Sequence, residues 1–468
     1  MFNYLNPLTP KDVENIHSLT LDILENVGVE FHYAPAIEVF QRAGCKTDGW
    51  KVYIPENVVE KALGDAPAAF TVYARNPARN VQIGGDDIIF IPAYGAPFVA
   101  DRESGRRKAK ISDYVNLVKL AYLSQNMDLT GGVLVEPNDI PDEIRHLQML
   151  YACIKCSDKV FMGSSAGSEK AKDTLEVARI LHGTEFIRKN PVMLTLINSL
   201  TPLIYDDRML GAMMEYAKNA QPVIVASLGM AGSTSPATLA ATLTMQNVEV
   251  LAGITLCQLI NPATPVVYGA ASSITEMRYG SLTIGAPEAA LIIAASAQLA
   301  RHYKLPCRGG GALTDSKLPD AQAGLESMMH LLNAVYSGVN VVLHAAGILE
   351  YYMTFSYEKF LIDDEICSMV RRIKKGMQIE PDTLGKDVIY EVGPGSHFLD
   401  KMHTYNWFKK EFWDPRLCDR GTFDHFNNAG GLDMYARAAQ LVKDRLEEYV
   451  EPGLDKDIER QLLDKLSK

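Results

Sequence analysis

The sequence predicts an α/β fold built on a TIM (β/α)8 barrel, and three observations carry the prediction. From about residue 128, short apolar and β-branched runs alternate with longer amphipathic patterns of helical period. The short runs are apolar on both faces, as in a parallel sheet covered by helices. Eight of them fall within about 250 residues, which is the typical length of such a barrel. A doubly wound sheet alternates in the same way, but no Gly-x-Gly-x-x-Gly follows the first strand, so it ranks second.

In chain order, Thr9-Pro10-Lys11-Asp12 opens a helix with proline in its first turn. Val13, Ile16, Leu19, Ile23 and Val27 recur at helical spacing, and Gly28 stops the run. A second helix is expected from Pro35 to Arg42. Strands follow at Lys51–Ile54, Phe70–Ala74, Val81–Ile83 and Ile88–Ile91, with Gly84-Gly85-Asp86-Asp87 as a hairpin turn between the last two. Residues 1–110 thus read as an N-terminal α+β cap, 111–380 as the barrel and 381–468 as a C-terminal extension. The barrel strands are expected at Leu129–Val135, Val160–Ser164, Val192–Asn198, Val223–Ser227, Val266–Ala270, Cys307–Leu313, Val341–Ala345 and Phe360–Asp363. Lys172–Leu181, Met209–Ala217, Glu288–Arg301 and Ala321–Val335 are helices between them, with Gly183 and Gly338 at C-terminal caps. The extension holds Gly393-Pro394-Gly395, the aromatic stretch of Trp407, Phe408, Phe412 and Trp413, and a charged helix from Tyr435 to Tyr449. Aromatics at this density pack onto a domain or a sister subunit, so a homo-oligomer is expected.

Composition narrows the function. Of 468 residues, 47% are hydrophobic and 22% charged, which excludes a disordered or fibrous chain. Lys+Arg 46 against Asp+Glu 57 gives a net charge of −11, the wrong sign for nucleic acid as main ligand. No uninterrupted apolar run approaches the ~18 residues of a membrane span. The most apolar helix expected, Ile284 to Ala300, carries Pro287, Glu288 and Gln298. The polar, acidic N-terminus is no signal peptide, so the cytoplasm is expected. Seven cysteines, an odd number, read as reduced thiols. Cys153-x-x-Cys156, with His146 on the same helix face, raises metal binding as an alternative. No second Cys-x-x-Cys or His pair completes a site, so buried thiols and no metal are expected. No His-Glu-x-x-His, Walker loop or Gly-x-Ser-x-Gly occurs.

A barrel of this kind carries its site at the C-terminal ends of the strands. That rule nominates Glu136, Ser164, Asn198, Ser227, Ser272, Arg308, Asp315, His344 and Asp364. Arg308 stands out, within Cys307-Arg308-Gly309-Gly310-Gly311 in an otherwise apolar strand. A guanidinium inside a barrel needs a partner. Either it pairs with a carboxylate of the protein such as Asp315, or it forms a fork for a substrate carboxylate, with the glycines leaving room for the ligand. His344 ends the next strand and can serve the same anion, or be a satisfied core residue. Asn198 supplies a neutral donor and acceptor.

Several segments resemble one family. They are Gly311-Ala312-Leu313-Thr314-Asp315-Ser316-Lys317 with Asp320-Ala321-Gln322-Ala323-Gly324, and Leu24-Glu25-Asn26-Val27-Gly28-Val29 with Ala43-Gly44, Ile54-Pro55 and Ala74-Arg75-Asn76-Pro77. The C-terminal run Gly395-Ser396-His397-Phe398-Leu399, His403-Thr404 and Phe412-Trp413-Asp414-Pro415 resembles it too. The family is the trimethylamine methyltransferase superfamily, and the resemblance covers nearly the whole chain. It implies a TIM barrel that transfers an N-methyl group to cob(I)alamin on a separate corrinoid protein, with no cofactor held tightly by this chain. The archaeal members carry pyrrolysine near the position of Gly311–Thr314. Ordinary residues stand there in this sequence, as in the branch that demethylates quaternary amines. Glycine betaine is the substrate this implies, with proline betaine, carnitine and γ-butyrobetaine as alternatives. Tyr94 and Phe355 are the aromatic candidates for the trimethylammonium, and Arg308 and His344 meet the carboxylate. A non-catalytic betaine-binding protein is the alternative of another class, and a zinc-dependent methyltransferase the runner-up enzyme.

Overall fold

The computed structural model describes residues 4–466. Its centre is a parallel eight-stranded sheet curled into a nearly closed barrel. Around the barrel run Ile89–Phe90, Leu129–Gly131, Val160–Met162, Met193–Asn198, Val223–Ser227, Val266–Ala270, Cys307–Gly310 and Val341–Leu343. The last strand pairs with the first, Val341 against Ile89. The seam between first and second is bridged where Asp128 N donates to Phe90 O at 2.9 Å and Phe90 N donates to Asp128 Oδ2 at 2.7 Å.

Two expected elements take other roles. Ile88–Ile91 is not the second arm of a hairpin; it opens the barrel, because its edge is completed by Val341–Leu343, some 250 residues away. The hairpin that does form pairs Ala69–Val72 with Val81–Gly84. Its Phe70, Val72, Val81 and Ile83 pack against Leu129, Val160, Leu194 and Ile224 and plug the N-terminal end of the barrel. Phe360–Asp363 is not a strand but part of the helix Tyr357–Lys375, where both faces are buried. A short apolar run has the same appearance in either state.

The most apolar helix is Leu239–Ile260, rather than Ile284–Ala300. It is long and apolar enough to cross a membrane, with mean hydropathy 1.3, yet 83% of that stretch is buried inside the protein. It lies between the barrel and the helices Pro10–Asn26, Ala34–Arg42 and Glu56–Asp65, so it is apolar all round. The first of these starts as expected. Thr9 accepts from Asp12 N while the Asp12 carboxylate accepts from Thr9 N at 2.9 Å, a reciprocal cap.

Candidate active site

The lumen is layered by alternate residues of each strand. Leu194, Leu196, Ile224, Ala226, Val267, Val341 and Leu343 form its apolar layers. Asn198 continues the series of Leu194 and Leu196, so its amide enters the lumen at the C-terminal end. Among the described residues it has no side-chain hydrogen bond. Arg308 sits level with Gly269 and Val341 and therefore also points inward. It is 3% exposed. Its Nη1 donates to Ala270 O at 2.8 Å, and its buried Nε has no partner. Among the described residues no carboxylate forms an ion pair with it. Asp315, the alternative partner, is engaged elsewhere, accepting from Ile284 N at 2.8 Å and Gly285 N at 3.1 Å. Burial pulls the Arg308 guanidinium below its ordinary value and pushes the Asp315 carboxyl above its own.

The glycines beside Arg308 serve packing rather than ligand access. A Cβ on Gly309 would meet Ile293 at 2.9 Å, and one on Gly311 would meet the Ala345 backbone at 2.6 Å. They let the seventh strand approach a helix and the eighth strand closely.

His344 ends the eighth strand with φ of 60°, a left-handed conformation that turns its ring out of the strand's alternation. Such backbone costs on the order of 1 kcal/mol and concentrates at functional sites. Tyr94 N donates to His344 Nδ1 at 3.2 Å. An acceptor Nδ1 places the proton of the neutral ring on Nε2, and that N–H has no partner among the described residues. Burial, reinforced by the Arg308 charge, holds His344 well below the usual histidine range, so the ring stays neutral.

Tyr352, not singled out by the sequence, packs on His344 with ring centroids 4.5 Å apart. Burial pushes its hydroxyl up to about 12, and the Arg308 charge acts on it in the opposite direction. It closes a left-handed run in which Glu350, Tyr351 and Tyr352 have φ of 53°, 42° and 77°. No glycine or asparagine marks that turn; the only signal was a pair of tyrosines soon after the strand carrying His344. Tyr94 brings a second ring to the lumen.

The remaining nominees lie apart. Phe355 is fully buried, with its ring against Gly347 and 6.1 Å from that of Phe360, which makes it core. Asp364 is on a helix, where it accepts from Ser124 Oγ at 2.5 Å and Asn126 Nδ2 at 3.0 Å. Ser272 Oγ accepts from Gly229 N, Ser227 Oγ is buried without a partner, Ser164 Oγ accepts from Ala166 N, and Glu136 is exposed. Cys153 and Cys156 are free, buried thiols, and burial pushes Cys153 up to about 12. His146 Nε2 is bonded to Asp173 at 2.9 Å. Among the described residues no group of three or more His, Cys, Asp or Glu side chains is placed to hold a metal ion.

The whole chain, residues 1–468, matches the family described as trimethylamine methyltransferase (MTTB). The chain belongs to the trimethylamine methyltransferase family. Within it, the chain is 54% identical to the glycine betaine methyltransferase of Desulfitobacterium hafniense (strain Y51), covering 98% of this chain and 95% of that one. It is 34% identical to the proline betaine:corrinoid methyltransferase of Eubacterium limosum, over 96% and 94%. The Methanosarcina barkeri monomethylamine methyltransferase superposes with a TM-score of 0.56 over 96% of this chain and 90% of that one. At 11% identity this likeness speaks for the barrel fold alone.

Proposed function

We propose that the chain moves a methyl group from glycine betaine to cob(I)alamin on a separate corrinoid protein, releasing dimethylglycine and methylcobalamin, and that it works in the cytoplasm as a homo-oligomer. The observation that carries this reading is Arg308, a guanidinium buried in the lumen with no carboxylate among the described residues paired to it. The substrate carboxylate supplies that partner, accepting a forked pair of bonds from Arg308 and a further bond from His344 Nε2–H. Because Tyr94 N fixes the proton on Nε2, His344 acts as a donor and not as a base. The Asn198 amide adds a neutral contact at the same end of the lumen.

Anchoring the carboxylate aims the trimethylammonium at the mouth, where the corrinoid protein presents its cobalt. The cobalt electron pair forms the new bond to methyl, and the C–N pair stays on nitrogen as dimethylglycine leaves. A quaternary ammonium already has a neutral amine as leaving group, so the step requires no general acid. Positioning and exclusion of water are what the protein contributes. The rings of Tyr94 and Tyr352 offer π faces to the cation, each contributing roughly 0.5–2 kcal/mol. The high identity to a glycine betaine methyltransferase supports the substrate. Proline betaine, carnitine and γ-butyrobetaine carry the same two charges and are the competing substrates.

The test is turnover by the chelator-treated protein with cob(I)alamin on its corrinoid carrier. Methylcobalamin and dimethylglycine should appear in equal amounts. Betaine uptake without cobalt methylation would make the chain a binding protein. Activity lost on chelation and restored by zinc would make it a zinc enzyme.

A further inference from the structure

The turn that carries Tyr352 is held from outside the lumen. Four strands lie at the mouth as a small sheet, in the order Ile348–Leu349, Thr354–Ser356, Phe98–Asp101 and Gly105–Lys108. The first pair follows the C-terminal end of the eighth barrel strand, and the second pair follows that of the first. Residues 350–353 join the first pair as a tight turn, closed where Met353 N donates to Glu350 O at 2.9 Å. Glu350, Tyr351 and Tyr352 are all left-handed there, a conformation that glutamate and tyrosine rarely adopt and keep only where their surroundings impose it.

The surroundings act from two sides. On one, Glu350 N donates to Ser316 O at 2.9 Å and Tyr351 N to Thr314 O at 3.4 Å, which ties the turn to the loop after the seventh strand. On the other, Thr354 stands level with Phe98 and Arg106 with Ala100, so Thr354, Phe98 and Arg106 share one face of the sheet. The Arg106 guanidinium lies over the Phe98 ring, 3.6 Å from its centroid. Its Nε donates to Glu350 Oε2 at 2.7 Å and to Thr354 Oγ1 at 3.1 Å. Thr354 Oγ1 donates to the same carboxylate oxygen at 2.7 Å. The Glu350 carboxylate is therefore the point at which the Arg106 hairpin grips the turn.

Tyr352 depends on that grip. Its hydroxyl has no hydrogen bond among the described residues, so nothing fixes the far end of the side chain. Its ring is placed by its backbone and by packing on His344, with centroids 4.5 Å apart. A turn that relaxed to ordinary backbone angles would re-aim the side chain and take one aromatic face from the lumen.

We infer that Arg106 and Glu350 are positioning residues for methyl transfer: from outside the lumen, they hold the turn that keeps the Tyr352 ring over the trimethylammonium. The inference rests on the proposed function for the identity of that cation, so one arm of the test uses no ligand. The ligand arm is calorimetric titration of glycine betaine and choline. Tyr352→Leu removes the ring and should weaken both ligands by roughly 2–30-fold. Glu350→Gly removes the carboxylate while easing the left-handed backbone, and Arg106→Ala removes the grip at an exposed hairpin residue. Each should weaken both ligands alike, by no more than Tyr352→Leu does, whereas a lost carboxylate contact would weaken betaine alone. Glu350→Gln keeps an acceptor oxygen and should retain most of the affinity. In a Tyr352→Leu background, Glu350→Gly should change nothing further, because the two act through one ring. The ligand-free arm is the NMR signal of the isotope-labelled His344 ring, assigned by its loss in His344→Gln. The Tyr352 ring current shifts that signal, so Glu350→Gly and Arg106→Ala should move it in the direction that Tyr352→Leu does. Folded Glu350→Gly and Arg106→Ala proteins that bind both ligands as the native one does overturn the inference. So do a loss confined to betaine, a loss that adds in full to that of Tyr352→Leu, and a His344 signal that stays at its native position. A native protein that binds neither betaine nor choline overturns the proposed function instead, and the His344 signal then decides the positioning.

Discussion

Arg308 and Lys359 are two cations buried in one barrel, and their surroundings are opposite. Lys359 is wholly buried, and its Nζ donates to both oxygens of Asp363 at 2.6 Å and to Ser327 Oγ at 2.8 Å. Asp363 in turn accepts from Gly347 N at 2.8 Å. That network ties the helix Tyr357–Lys375 to the loop after the eighth strand and is complete within the protein. Arg308 is almost as buried, yet has a single carbonyl and an orphaned Nε. A satisfied buried charge is a structural element. On the proposed function, Arg308 is instead held without a counter-ion for the carboxylate of a ligand, at a cost in stability.

Breaking the satisfied cation should have the largest effect on stability. Lys359→Met leaves Asp363 buried alone and should cost about 3–5 kcal/mol in chemical denaturation. Replacing both partners with apolar residues, Lys359→Met with Asp363→Leu, should recover much of that loss. A Lys359→Met protein as stable as the native one would remove the distinction between the two sites.

Acid probes a second pair of buried groups. Burial pushes His330 down to about 4, and both its ring nitrogens lack partners. His344 lies in the same direction, well below its ordinary value. The unfolded chain takes up protons at both positions below about pH 6.5 while the folded chain does not, so stability falls as pH falls through that window. His330 alone should account for roughly 2 kcal/mol between pH 6.5 and 5, and for nothing between pH 7 and 8. Denaturation at pH 5 and pH 7 reads this, and His330→Leu should flatten its share. Betaine affinity should stay level from pH 6 to 8, since Arg308 remains charged and His344 neutral. An affinity that titrates near pH 6.5 would mean that His344 is protonated in the complex.

Much of the barrel was legible because its strands are apolar on both faces, and Val223–Ser227 and Val266–Ala270 form with the bounds the pattern predicts. The first strand was not, because Gly84-Gly85-Asp86-Asp87 is a strong local turn signal and its true partner, Val341–Leu343, is remote in sequence. Phe360–Asp363 misled because Phe360-Leu361-Ile362 is an apolar run too short to separate a buried helix from a strand, and the charged residues around it, Glu358, Lys359, Asp363 and Asp364, are themselves buried. Arg308 was legible as a charge within an otherwise apolar strand and His344 as a polar residue at the end of the next. Tyr352 was not, because its position depends on a left-handed turn made of glutamate and tyrosines. Phe355 was chosen in its place by proximity in sequence, but its ring belongs to the core.

The central claim is that Arg308 is left unpaired for the substrate's carboxylate, and calorimetric titration of glycine betaine and choline into native protein and Arg308→Ala tests it most directly. Choline keeps the trimethylammonium and lacks the carboxylate, so the native protein should bind betaine far more tightly. Arg308→Ala should fold and be no less stable than the native protein, since it removes an unpaired buried charge and no carboxylate loses a partner. Its betaine affinity should fall by roughly 2–5 kcal/mol while choline binding barely changes, so that the preference largely disappears. Arg308→Lys should restore only part of it, because an ammonium cannot form the planar fork. A folded Arg308→Ala protein that still binds betaine as the native one does would make Arg308 a structural arginine and contradict the account.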